Sequence, residues 1–171
     1  MNRKYDTRQY REIVGNIRRS FADAAITTDI MVGFPGETNE EFDETCCFAE
    51  SIGFSQIHIF QYSVRKGTKA AEMPDQVPAA VKEERSKILG RVAEKTKAGF
   101  RESYIGKTVE VLFEHLQDGL WEGHTRNYIP VRVASPADLS GKIVMVGLVE
   151  NKPDYMLGRI EGKADPQVFP A

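Results

Sequence analysis

Up to about residue 103 the apolar positions recur at helical spacing around two short, nearly continuous apolar runs; after it they fall into short alternating runs. The first continuous run, Ile26 to Val32, is β-branched and apolar and predicts a strand buried on both faces. It breaks at Gly33-Phe34-Pro35-Gly36. Thr38 and Glu41 then form a capping-box pattern, and Phe42, Thr45, Cys46, Ala49 and Ile52 follow at helical spacing. Gly53 closes that helix, and Phe54 to Tyr62 predicts a second strand in which His58 alternates with Ile57, Ile59 and Phe60. Ahead of these, Asp6 or Thr7 caps a helix with an apolar face of Tyr10, Ile13, Val14, Ile17 and Phe21, closed by Arg18 and Arg19.

The order helix, strand, helix, strand makes the two strands parallel, joined by a right-handed crossover. Parallel strands need further strands and cover on both faces, so this half predicts a slice of a larger α/β barrel or sheet. An uncovered flank on the Ile26–Val32 strand predicts self-association through the exposed sheet edge. Ser63 to Val77 is a polar loop with Arg65, Lys66 and Lys69; leaving a strand's carboxyl end, it shares a rim with the Gly33–Gly36 turn. Ligands in such folds sit at that rim, where backbone N–H groups at the helix start are free. A long helix runs from Pro78 to about Ser103 on the stripe Val81, Ile88, Leu89, Val92 and Phe100. Its charges, from Lys82 and Arg85 to Arg101, predict a solvated face without a functional role.

Five short runs follow: Thr108–Glu114, Gly119–Asn127, Ile129–Val133, Lys142–Asn151 and Tyr155–Ile160. Five strands in so short a span predict a small closed barrel of the oligonucleotide-binding type, because closure removes exposed edges. The fold class is therefore α/β plus all-β, with residues 1–103 as a partial (β/α) barrel segment and 104–171 as the small barrel.

Composition narrows the function classes only slightly. The 171 residues are 41% hydrophobic and 28% charged, enough for a sizeable core. No apolar run reaches the length of a membrane span, and the charged start lacks the apolar core of a signal peptide, which predicts a cytoplasmic protein with no membrane partner. The net charge of −2 argues against coating nucleic acid by bulk charge. Residues 104–171 carry seven Lys and Arg against nine Asp and Glu, so a barrel of this charge binds RNA only if its cations cluster. The two cysteines, Cys46 and Cys47, are adjacent on a helix; they neither pair readily nor make a ligand set, and Cys46 reads as a small core residue.

Two long stretches carry a family resemblance. Thr28-Asp29-Ile30-Met31-Val32-Gly33-Phe34-Pro35-Gly36-Glu37-Thr38 and Tyr62-Ser63-Val64-Arg65-Lys66-Gly67-Thr68-Lys69-Ala70-Ala71 resemble the radical S-adenosylmethionine tRNA methylthiotransferases. Met73-Pro74-Asp75-Gln76-Val77 and Asn2-Arg3-Lys4-Tyr5 are similar to the branch acting on N6-threonylcarbamoyladenosine. The tail from Tyr104, with Gly123-His124-Thr125-Arg126-Asn127-Tyr128, resembles the RNA-binding TRAM domain that ends these enzymes.

That resemblance implies a methylthio transfer to a hypermodified adenosine in tRNA, using S-adenosylmethionine and two 4Fe–4S clusters. The family's clusters are held by cysteines placed earlier in its chain, including a Cys-x3-Cys-x2-Cys motif, and neither motif occurs here. Cys46-Cys47 cannot replace them, since a cluster needs three or four converging thiolates. The expectation is therefore a carboxyl-terminal part of such an enzyme, inactive alone, whose partners are tRNA and the remaining amino-terminal portion.

By resemblance the Asp29–Glu37 segment lies by the adenosine of S-adenosylmethionine, which gives Asp29, Gly33, Phe34, Pro35, Gly36 and Glu37 as cofactor candidates. Phe60, Tyr62 and Ser63 at the next strand's end complete a partial site. The competing reading is that Gly33–Gly36 merely turns the chain. Arg65 is the candidate phosphate contact of the α/β half, or a solvated loop charge. In the tail, Arg126, Asn127, Tyr128 and Arg132 with Trp121 and His124 could combine phosphate contacts and base stacking, while Trp121 and Tyr128 could equally be core or cross-strand residues. No residue is assigned a catalytic or metal-binding role. The alternative function is a stand-alone, non-catalytic RNA-binding module built on the small barrel.

Overall fold

The computed structural model describes residues 4–161 and 167–168. Asn2 and Arg3 of the amino-terminal motif lie outside the described residues. The chain divides into two compact units, residues 1–97 and 98–171.

In the first unit, α1 (Thr7–Ser20) starts at a complete capping box: Asp6 accepts from the Gln9 amide, and the Gln9 side chain accepts from the Asp6 amide. Its apolar stripe is only partly used. Val14 is buried, but Ile13 and Phe21 are exposed, because two strands and two helices are too few to cover the whole stripe. β1 (Thr27–Val32) pairs in parallel with β2 (Gln56–Gln61), in the register Asp29 to His58 and Met31 to Phe60. Between them runs α2 (Asn39–Ile52), opened by the Thr38–Glu41 capping box and closed by Gly53 at φ 65°, the left-handed cap that glycine takes without steric cost.

The expectation that β1 is buried on both faces is wrong. Side chains alternate along a strand, and here Ile30, Val32, Ile57 and Ile59 face the core with Phe42, Ala49, Ile52 and Leu89. Thr27, Asp29, His58 and Phe60 take the opposite face and are exposed. A short 3₁₀ turn, Lys69–Ala71, punctuates the loop after β2, and α3 (Ala79–Glu102) follows.

The second unit begins within α3, at Ala98. The helix's last turns belong to the barrel: the Arg101 guanidinium donates to the Pro153 carbonyl at 2.7 Å, the Asn151 amide donates to the Ala98 carbonyl at 3.0 Å, and Phe100 packs on Tyr104. β3 (Thr108–Gln117), β4 (Leu120–Thr125), β5 (Pro130–Val133), β6 (Lys142–Asn151) and β7 (Met156–Ile160) close in the order β3-β4-β5-β7-β6-β3. All contacts are antiparallel except β5–β7, so the barrel is mixed. Asp118 and Gly119, both at positive φ, make the two-residue turn between β3 and β4 that a tight hairpin requires. Val111, Phe113, Val131, Val133, Val144, Val146, Leu148 and Met156 point inward as one core. A two-residue strand, β8 (Gln167–Val168), adds to β6 outside the closed ring and had no counterpart among the expected strands.

Candidate functional sites: a strand-end rim and a barrel surface

The carboxyl end of β1 runs into the Gly33–Gly36 turn, and the carboxyl end of β2 into Tyr62. Phe34 and Tyr62 meet edge to face with ring centroids 5.4 Å apart. The loop after β2 closes on the same turn, the Gly36 amide donating to the Asp75 carbonyl at 3.0 Å. Two glycines make the turn possible, Gly33 at φ 71° and Gly36 at φ 82°. A Cβ on Gly33 would sit 2.1 Å from Lys82 Cγ, whereas one on Gly36 would meet nothing within 4 Å, so the turn is packed on one side and open on the other.

The rim is held by residues that sequence reasoning assigned to solvent. Arg85, only 5% exposed, reaches from α3 to donate to Glu37 Oε2 at 2.6 Å, to the Glu37 carbonyl at 3.1 Å and to Asn39 Oδ1 at 2.9 Å. Its guanidinium also lies 5.4 Å from the Phe42 ring centroid. Glu37 Oε2 accepts the Gly33 amide at 2.6 Å, so one carboxylate joins the turn, the start of α2 and α3. Lys82 donates to the Tyr62 carbonyl at 2.9 Å. These two cations contradict the reading of the whole charged surface of α3 as solvated. Their signal in the sequence was spacing: Lys82, Arg85 and Leu89 fall on one side of the helix, so the cations flank the apolar stripe.

In the turn itself the backbone donors are engaged. The amides of Gly33, Gly36, Glu37 and Tyr62 are taken by Glu37, Asp75, Phe34 and Val32 respectively. Phe34 is half-buried and Gly36 exposed, while Tyr62 is buried, its hydroxyl without a protein partner. Of the other cofactor candidates, Pro35 is buried, Ser63 is exposed, and Asp29 and Phe60 lie on the open face of the β1–β2 pair. Arg65 is exposed in the loop, where its carbonyl accepts from Thr68.

The two cysteines supply no cluster site. Burial pushes the Cys46 thiol up, with Asp43 adding to it, which disfavours the thiolate a metal needs. Cys47 is exposed. Among the described residues no group of three or more His, Cys, Asp or Glu converges as a metal site.

On the barrel the tail candidates separate into two kinds. Trp121 packs, partly buried, against the barrel core, and Asn127 holds a turn, donating to the Tyr104 hydroxyl at 2.7 Å and accepting from Thr125 Oγ1 at 2.6 Å. Arg126 and Tyr128 are exposed, and His124 and Arg132 are half-buried. Tyr128 is 85% exposed at φ 63°. Arg126 lies 2.5 Å from Glu110, His124 Nδ1 lies 2.9 Å from Glu114, and Arg132 donates to Glu122 at 2.6 Å while stacking over Tyr155. The bond from Glu122 pushes the Arg132 pKa up, keeping it charged.

Among the described residues no helix is long and apolar enough to cross a membrane. No family model matches the chain. It is, however, similar to proteins named tRNA-2-methylthio-N(6)-dimethylallyladenosine synthase. The one from Chloroflexus aurantiacus is 39% identical over 162 residues, covering 92% of this chain and 35% of the relative. Its counterpart from Acetivibrio thermocellus is 42% identical over 149 residues, covering 85% and 31%, and that from Bacillus subtilis 38% over 167 residues, covering 96% and 33%. These relatives carry the dimethylallyladenosine name, not that of the threonylcarbamoyladenosine branch expected from Met73–Val77. The chain spans about a third of the length of the curated relatives it matches, and the similarity runs over 85–96% of its own length.

Proposed function

We propose that this chain works as the carboxyl-terminal part of a radical S-adenosylmethionine tRNA methylthiotransferase whose substrate is a dimethylallyl-type adenosine. The observation that carries this is the homology of nearly the whole chain to one third of enzymes so named. In this reading the rim formed by Gly33, Phe34, Gly36 and Tyr62 contributes one side of the S-adenosylmethionine site, and Glu37 and Arg85 hold its shape. S-adenosylmethionine and the iron–sulfur clusters supply the radical and the sulfur from the rest of the enzyme. The chain's own residues orient and enclose: Phe34, backed by the buried Tyr62, offers an aromatic surface to adenine, Gly36 lets backbone approach it, and the barrel meets tRNA through the exposed Tyr128 and its neighbours.

A chimaera tests this. Replacing the matching third of the Bacillus subtilis relative with this chain, in cells lacking that enzyme, is expected to restore 2-methylthio modification of dimethylallyladenosine in tRNA, measured by mass spectrometry of digested nucleosides. A soluble chimaera that binds tRNA but leaves the nucleoside unmodified would overturn the reading. Restoration only on threonylcarbamoyladenosine would move the chain to the other branch.

A further inference from the structure

On the β3–β4–β5 face of the barrel two arginines stand beside carboxylates, and two histidines do the same. Arg126 meets Glu110 at 2.5 Å, His124 meets Glu114 at 2.9 Å, and Glu122 bridges Arg132 at 2.6 Å and His115 at 3.7 Å. These pairs lie on one outer surface, since Leu112 registers with His124, His115 with Glu122, and Glu122 with Arg132 across β3, β4 and β5. An electrostatic grip on a phosphate backbone needs uncompensated positive charge, and on this face both arginines, Arg126 and Arg132, share their surroundings with an anion.

Beside the paired charges stands Tyr128. An aromatic at positive φ is uncommon, and this one is held there by a built turn. The Thr125 hydroxyl accepts the Ile129 amide at 2.9 Å, the Tyr128 amide donates to the Thr125 carbonyl at 3.0 Å, and Asn127 is tied to Tyr104. The outcome is a ring 85% open to solvent on a rigid base.

We infer that Glu110, Glu114 and Glu122 are specificity residues of this surface: by holding its cations in pairs they make binding depend on a nucleobase stacked on Tyr128, so that single-stranded RNA is taken in preference to duplex. A duplex offers phosphates and 2′-hydroxyls but keeps its base faces stacked, whereas an unpaired loop presents base faces. Without the glutamates the same cations would hold any phosphate backbone. The inference rests on the proposed RNA-binding role of the barrel and adds which RNA is chosen and by what.

The test uses the full chain, a labelled single-stranded oligoribonucleotide and an RNA duplex of equal length, with anisotropy titrations at two salt concentrations. The wild type is expected to prefer the single strand. Tyr128→Ala should lose roughly tenfold on the single strand with little change in salt dependence, and Tyr128→Phe should retain binding. Glu110→Gln with Glu114→Gln should gain severalfold on the duplex and steepen the salt slope by about one, for the freed Arg126. The three positions changed are exposed, or in the case of Glu110 half-buried, and circular dichroism verifies that the variants fold. Tyr128→Ala binding like the wild type, or a glutamine variant that keeps the preference and slope, would overturn the inference. Equal wild-type binding to both RNAs would overturn it alone, while binding to neither would overturn the RNA reading beneath it.

Discussion

The two units solve the same problem of strand edges in opposite ways. The barrel unit pairs β3 with both β4 and β6, so five strands close and six core side chains, including Val111, Phe113 and Met156, fall to 0% exposure. The α/β unit pairs two parallel strands, covers one face with helices and leaves Asp29, His58 and Phe60 on the other. Among the buried hydrophobics there, only Ala49 and Leu89 reach 0%. Closure lets a small barrel bury its core with its own strands, while an open parallel pair depends on whatever lies on its second face.

Five substitutions break or sharpen that contrast, and the single tryptophan, Trp121, sits in the barrel unit where its fluorescence reports on that unit. Phe113→Ala, in the middle of the barrel core, is expected to cost about 3–5 kcal/mol. It should shift the fluorescence transition in denaturant and leave the helical circular dichroism transition in place; an equal shift of both would show that the units unfold as one. Arg85→Ala should cost about 3 kcal/mol in the other unit, because it strands the Glu37 carboxylate. Here the circular dichroism transition should move and the fluorescence transition should not.

Glycine substitutions separate close packing from backbone freedom. Gly123→Ala places a Cβ 2.2 Å from the Leu112 carbonyl oxygen, within the β3–β4 pairing, and is expected to cost about 2 kcal/mol. Gly33→Ala meets the flexible Lys82 side chain but at a left-handed φ, so about 1 kcal/mol is expected. Reversal of that order in urea titrations would mean that the rim, not the barrel wall, is the more tightly packed place. Phe60→Ser, on the open face, should change stability by no more than about 0.5 kcal/mol while lowering self-association in sedimentation. A large loss of stability would show that this face is covered in solution by something the isolated chain supplies.

Local signals made much of the fold legible. Thr38 with Glu41, Asp6 with Gln9 and the αL Gly53 specify helix ends through bonds within a few residues, and the five barrel strands announce themselves by alternation. Illegible features depended on long-range partners. Ile26–Val32 reads as doubly buried because apolar content does not say what covers the second face. Ile13 and Phe21 read as core for the same reason, and both are exposed. Arg85 looked like one more charge on a mixed helix, and its burial follows from Glu37, 48 residues earlier. On the barrel, Arg126, His124 and Arg132 were visible as candidates, but their glutamate partners are brought beside them by cross-strand register.

One seam of the barrel differs from the rest. β5 and β7 run side by side in the same direction and touch only where Val131 faces Met156 and Arg132 faces Leu157, while every other junction is antiparallel and longer, apart from the appended β8. A ring is as durable as its shortest joint. Thermal breathing should start there, and deuterium should enter the Val131–Arg132 backbone before the staves on either side.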